Sequence, residues 1–262
     1  NWTLTGFYDR SSYLMGLPVT VLGKLSDSVL FSGMSMMQDN KERLKDTVLS
    51  AIHAVTLIVI PLTGILVLRA GEFTAIILGG KYANAVPIVM VLFLCVGVRS
   101  FIKIGDAALR ATDNLGVGAL IKTVFLISLT VGVIKATSVT EVGETSIINA
   151  AWAVVAATSL QAVLIGIWIV RGLQIKISNL LQRLAPGFLL LLIVLVSGKG
   201  LEQVSETSLY GNNILPELAH TIEIATLILT SGFLAFITLV IKPNSFDGGT
   251  PRLRRKLITY LP

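Results

Sequence analysis

Arg99, Lys103, Asp106 and Arg110 follow one another at steps of four, three and four, so a helix carrying them presents all four on one face. Counted from Val86 at about 1.5 Å per residue, Arg99 lies about 20 Å into a hydrocarbon core about 30 Å thick, and Lys103 about 6 Å deeper. Asp106 and Arg110 then reach the cytoplasmic edge. A guanidinium at that depth offers a fork of donors matched to phosphate oxygens, which a lysine does not reproduce. Snorkelling of the long basic side chains towards the inner interface competes with this reading, more strongly for Lys103 than for Arg99. A buried structural pair of Arg99 with Asp27 is a second competitor.

A second polar stripe lies in GFYDRSSYLMGLPVTVLGKLSDSVLFSGMSMMQ, from Gly6 to Gln38, where Thr20, Lys24, Asp27 or Ser28, and Ser32 or Ser35 recur at three- and four-residue steps. A central Lys or Asp costs roughly 2.5 to 3.5 kcal/mol on insertion, and each Leu, Ile, Val or Phe returns only about 0.3 to 0.6. Such a stripe belongs on a cavity wall. Lys24 and Asp27 can meet across one turn, which lowers the cost of both. Pro18, with Gly16 before it, predicts a kink. Arg10, Lys24, Asp27, Arg99 and Lys103 are therefore the candidate cavity residues. His53 in the second apolar run could relay protons, but a histidine hydrogen-bonded between helices is the favoured account. Gln161, a polar side chain deep in a later run, is expected to bond a neighbouring helix.

The elements that must position these groups are membrane helices. The 262 residues are 53% hydrophobic and 14% charged, and the mean hydropathy of +0.81 excludes an ordinary soluble domain. The expected fold is an all-α polytopic bundle of about seven spans, near 11–37, 48–69, 85–109, 117–136, 147–170, 183–203 and 219–241. One transmembrane unit thus covers 1–241, and 242–262 form a basic cytoplasmic tail. The piece Phe73–Leu78 is too short to span and is expected at the outer interface. The fourth and fifth spans are rich in small residues that let helices approach closely. The sixth is apolar on all sides, is expected to be peripheral, and has Arg183 at its entry.

The net charge of +6 is explained by topology, not by nucleic acid, because the basic residues fall between apolar runs. Fourteen of the twenty-one lie at Lys41, Arg43 and Lys45; Lys103, Arg110 and Lys122; Arg171, Lys176 and Arg183; and in the tail from Lys242 to Lys256. The alternate loops hold only Arg69, Lys81, Lys135 and Lys199, together with six glutamates. The positive-inside rule places the first group in the cytoplasm, with Asn1 outside and Pro262 inside. Cys95 alone allows neither a disulfide nor a thiol metal site, and His53 and His220 are too far apart for a metal motif. No phosphate loop or nucleophile motif is present, so neither an enzyme nor a cofactor is expected.

Three stretches together resemble a known family: the Gly6–Gln38 run continued through DNKERLKD, then IPLTGILVLRAGEFTAIILGGKYANAVPIVMVL, then ALRATDNLGVGALIK. They are similar to the oligosaccharide flippases of the Wzx and polysaccharide-transporter type, in the multidrug/oligosaccharidyl-lipid/polysaccharide superfamily that also contains the lipid II flippase. The resemblance rests on Gly6 to Tyr8, Leu17-Pro18, Phe31 to Ser35, the charged loop Gln38 to Lys45, Pro61, Leu78-Gly79, Lys81-Tyr82 and Ala85-x-Pro87. Ser32 stands where the family usually has proline. The resemblance implies the C-terminal bundle of a two-bundle transporter in the bacterial cytoplasmic membrane, moving an undecaprenyl-diphosphate-linked oligosaccharide outward by alternating access. The N-terminal bundle is then the missing partner, beside membrane lipids, and the coupling ion, proton or sodium, stays open. Arg99, with Lys24 as second candidate, would hold the carrier diphosphate.

Three other classes compete. A multidrug or cation antiporter of the same superfamily needs an acidic cavity, whereas Lys24, Asp27 and Arg99 lean positive. A retinal protein needs a lysine in its last helix, and none lies between Thr221 and Ile241. A membrane scaffold has no use for charges at this depth.

Overall fold

The computed structural model describes residues 2–37, 40–138 and 144–208, with side chains at 5–20, 33–37, 40–138 and 145–196. The expected span at 219–241 and the tail 242–262 lie outside the described residues. Seven α-helices follow in order: α1 (Trp2–Ser35), α2 (Lys41–Leu68), α3 (Ala70–Leu78), α4 (Val86–Ala111), α5 (Leu115–Ser138), α6 (Glu144–Gly172) and α7 (Ile177–Ser208), with a 3-10 turn (Gly80–Ala85) before α4. Among the described residues there is no strand, and five helices, α2 and α4 to α7, are long and apolar enough to cross a membrane. The chain is an all-α polytopic bundle.

Local chemistry sets the helix ends. Asn40 caps α2, its side chain accepting from the Arg43 N–H at 3.1 Å. Gly79 closes α3 with φ at +90°, a conformation in which a Cβ would collide with its own backbone. Pro87 sits in the first turn of α4, where its missing N–H is not needed. The α4–α5 and α6–α7 corners turn in the same way. Asp113 (φ 58°) and Gln174 (φ 52°) take the left-handed conformation. The next N–H then reaches back five residues, Asn114 to the Leu109 carbonyl and Ile175 to Val170, both at 3.0 Å. These tight corners reverse the chain between α4 and α5 and between α6 and α7.

α4 is the axis of the bundle, packing on α1, α2 and α6, while α5 leans on α6 and α7 on α2. Its N-terminal half joins a core with Leu14 and Met15 of α1, Val59 and Leu66 of α2, and Val154 of α6. Its C-terminal half joins Ile52 of α2, Ile121 of α5 and Ile165 of α6. Lipid tails are as apolar as leucine, so close contact more than hydrophobicity must hold such helices together. The closest approaches are at small residues. A Cβ added to Gly105 would strike Ile165, and one added to Gly132 would lie 3.1 Å from the Ala153 Cβ. The small residues of α5 and α6 do meet.

α7 is peripheral, with Phe188, Leu189, Leu192, Ile193 and Val196 exposed. It begins at Ile177, six residues before Arg183, so Arg183 lies within the helix instead of opening it. Its seam with α2 is tight: a Cβ on Gly187 would be 2.7 Å from the Thr56 carbonyl oxygen. α1 and α2 run on as single helices through Pro18 and Pro61. α1 also continues through Ser32 and Gly33 to Ser35.

Candidate functional site

The polar stripe of α4 meets a different neighbour at each level. The thiol of Cys95 donates to the Thr158 hydroxyl of α6, which itself donates to the Val154 carbonyl at 2.7 Å. One turn on, the charge of Arg99 acts on Cys95 and on the Tyr8 phenol of α1, which is hydrogen-bonded to Ser12. Arg99 is half-buried, and among the described residues no carboxylate pairs with it. Lys103 is also half-buried and engaged in an interaction of its own. Asp106 pairs with Lys122 of α5 at 3.4 Å, and its carbonyl accepts from Arg110 Nε at 3.3 Å. The stripe thus grades from a partly enclosed guanidinium to a more exposed ion pair towards the C-terminal end of α4.

α1 presents two unlike faces. Phe7, Tyr8, Ser11, Leu14 and Met15 turn inwards, and the Ser11 hydroxyl is satisfied by the Phe7 carbonyl at 2.7 Å. Asp9, Arg10, Tyr13 and Thr20 are exposed. Arg10 therefore belongs to the outward face, two residues from the Tyr8 that adjoins Arg99. α5 exposes a run of aliphatic side chains, among them Leu120, Leu126, Ile127 and Val131. Lys24 and Asp27 lie on α1 by their backbone, and their side chains are outside the described residues.

His53 is buried, and its Nδ1 lies 3.0 Å from the Arg183 carbonyl oxygen of α7. A carbonyl only accepts, so Nδ1 carries the proton and the imidazole is a donor between helices. This is the favoured of the two sequence readings. Gln161 is 7% exposed on α6 and has no hydrogen-bond partner among the described residues, which do not include the side chains at 21–32 of α1.

Alongside the α2–α7 seam lies an apolar cavity of about 310 Å³, with Val59, Gly97, Phe101, Ala162 and Leu184 in its walls. Its two hydroxyls, Thr56 and Thr63, are spent on their own helix, at the Ile52 and Val59 carbonyls. Among the described residues no cluster of three metal-ligating side chains occurs.

The sequence did not single out Tyr8 as a neighbour of Arg99, or Thr158 as the partner of Cys95. The signal for the first was present, because Tyr8 falls in the Gly-Phe-Tyr opening of α1 and Ser12, its partner, is one turn further on. Thr158 meets α4 from a helix about sixty residues later, and spacing within α4 says nothing about it. No curated protein and no solved structure matches the chain. Residues 1–87, which build α1, α2, α3 and the turn leading to Pro87 of α4, match the family model of the polysaccharide biosynthesis proteins.

Proposed function

We propose that this chain forms one wall of a transporter that carries an undecaprenyl-diphosphate-linked oligosaccharide outward across the bacterial cytoplasmic membrane. The observation that carries the reading is the contrast between the exposed faces. The exposed middle stretches of α5 and α7 are mainly aliphatic, as with Leu126, Ile127, Leu189 and Leu192, whereas α1 exposes Asp9, Arg10, Tyr13 and Thr20 on the helix that adjoins the half-buried Arg99 of α4. A charge at membrane depth is costly, so the half-buried Arg99, with Tyr13 and Thr20 exposed on the adjoining α1, calls for water and a second bundle opposite that face. The match of residues 1–87 to the polysaccharide biosynthesis proteins supports the class of substrate. The cationic stripe supports an anionic head over a lipophilic cation. Its work is electrostatic capture and release, with no covalent step, and an N-terminal bundle of the same protein supplies the facing wall. The lysine and arginine distribution supports an orientation with the α4–α5 and α6–α7 corners in the cytoplasm.

Proteoliposomes containing the full-length protein test the reading. A fluorescent diphosphate-linked oligosaccharide lipid should become accessible to an impermeant glycosidase on the opposite leaflet, in a protein-dependent manner. Uptake of a lipophilic cation with no movement of the lipid-linked sugar would contradict it and favour a cation antiporter.

A further inference from the structure

Gln161 is a polar side chain in the core of the bundle with its hydrogen-bonding groups unused among the described residues, at 7% exposure. A buried carboxamide gives up about 1 to 3 kcal/mol of hydration for each group left unsatisfied, and no described side chain offsets that for Gln161, so its place in the core calls for a reason. Its position follows from its neighbours on α6. Thr158, three residues before it, receives the hydrogen bond of Cys95, and Ile165, four residues after it, fills the space opposite Gly105. Gln161 therefore stands at the level of the α4 residues between Cys95 and Gly105, the level of Arg99. Ala162 lies about 100° further round α6 and lines the apolar cavity with Gly97, Val98 and Phe101. Gln161 is thus on the opposite flank of the α4–α6 seam, the flank from which Arg99 acts on Tyr8 of α1. α1, α4 and α6 meet there.

Building on the function proposed above, we infer that Gln161 is a headgroup-positioning residue of the same site as Arg99. The guanidinium supplies charge and donors to phosphate oxygens. The carboxamide adds an acceptor for a hydroxyl next to that phosphate and a neutral donor for a further oxygen. The ligand class is the phosphate-bearing polar head of a lipid, approached from α4 and α6 at once.

Calorimetric titration of the full-length protein in detergent, with farnesyl diphosphate as probe and inorganic pyrophosphate as comparison, tests this. Gln161→Leu should weaken farnesyl diphosphate binding about two- to tenfold, the span of one neutral hydrogen bond, without lowering thermal stability. A merely structural glutamine predicts the opposite, unchanged affinity with lower stability, and that result overturns the inference. Gln161→Glu, nearly isosteric, should weaken binding further by placing a carboxylate beside the guanidinium. Wild-type affinity in the Glu variant overturns the inference even where the Leu variant fails to fold. Arg99→Ala separates the two levels of the account. If it loses binding while both Gln161 variants bind normally, Gln161 alone is misassigned, and if it also binds normally, the anion-capture reading falls as well. Equal affinity for pyrophosphate and farnesyl diphosphate overturns the assignment to a lipid head.

Discussion

Gly187 offers a quantitative test of the α2–α7 seam. A Cβ at this position would sit 2.7 Å from the Thr56 carbonyl oxygen and 3.0 Å from its carbon. Backbone of a helix held by its own hydrogen bonds does not yield as a side chain would, so α7 must shift outwards by several tenths of an ångström. Overpacking of this kind costs about 1 to 3 kcal/mol. The same shift lengthens the 3.0 Å hydrogen bond from His53 to the Arg183 carbonyl, worth about 0.5 to 1.5 kcal/mol. Alanine returns up to about 1 kcal/mol in helix propensity. Gly187→Ala should therefore destabilise by about 1 to 3 kcal/mol. Unfolding in mixed detergent micelles measures it, with two companions. Gly64→Ala meets only the flexible end of Leu191, at 2.5 Å, and should cost less. Gly71→Ala, in α3, meets nothing within 4 Å and should be neutral or stabilising. Gly187→Ala as stable as wild type would refute the backbone contact and the seam built on it.

Other consequences follow from single contacts. Removing the ion pair to Asp106 with Lys122→Ala should change stability by less than about 1 kcal/mol, because the lysine is 59% exposed and the pair is screened; a larger loss on denaturation would show it to be a structural latch. Gly79→Ala should cost about 1 to 3 kcal/mol, since φ is +90° there, and an unchanged unfolding midpoint would contradict the α3 end as described. In a Cys95→Ser background, an impermeant thiol reagent should label Lys81→Cys in intact cells and leave Lys176→Cys unlabelled; the reverse pattern inverts the topology.

The helices themselves were legible because hydropathy and small-residue content mark membrane spans. Their ends were less so. α1 starts at Trp2 and not near residue 11, and α6 starts at Glu144 and not near 147, because hydropathy locates the hydrocarbon while the helix continues into polar surroundings. The α7 start was missed for the same reason, since Ser178, Asn179 and Gln182 are polar yet helical. The stripe on α4 was readable from its three- and four-residue steps. Its partners were not, because the Asp106–Lys122 pair and the approach of Arg99 to Tyr8 depend on which helices adjoin α4. Periodicity says which residues share a face and nothing about what that face meets. Gln161 illustrates the limit: a lone glutamine in an apolar run suggests an interhelical bond, and only the packing shows that no described group is there to receive it.

The most direct test of the central claim, that the polar face of α1 and α4 handles the anionic head of a lipid-linked sugar, is surface polysaccharide output in cells carrying Arg99 variants. Output is scored against the amount of folded protein in the membrane. Arg99→Lys should insert at the wild-type level and export poorly, because an ammonium keeps the charge but loses the fork that matches a phosphate. Normal output from Arg99→Ala at normal protein levels would contradict the account and leave Arg99 a snorkelling side chain.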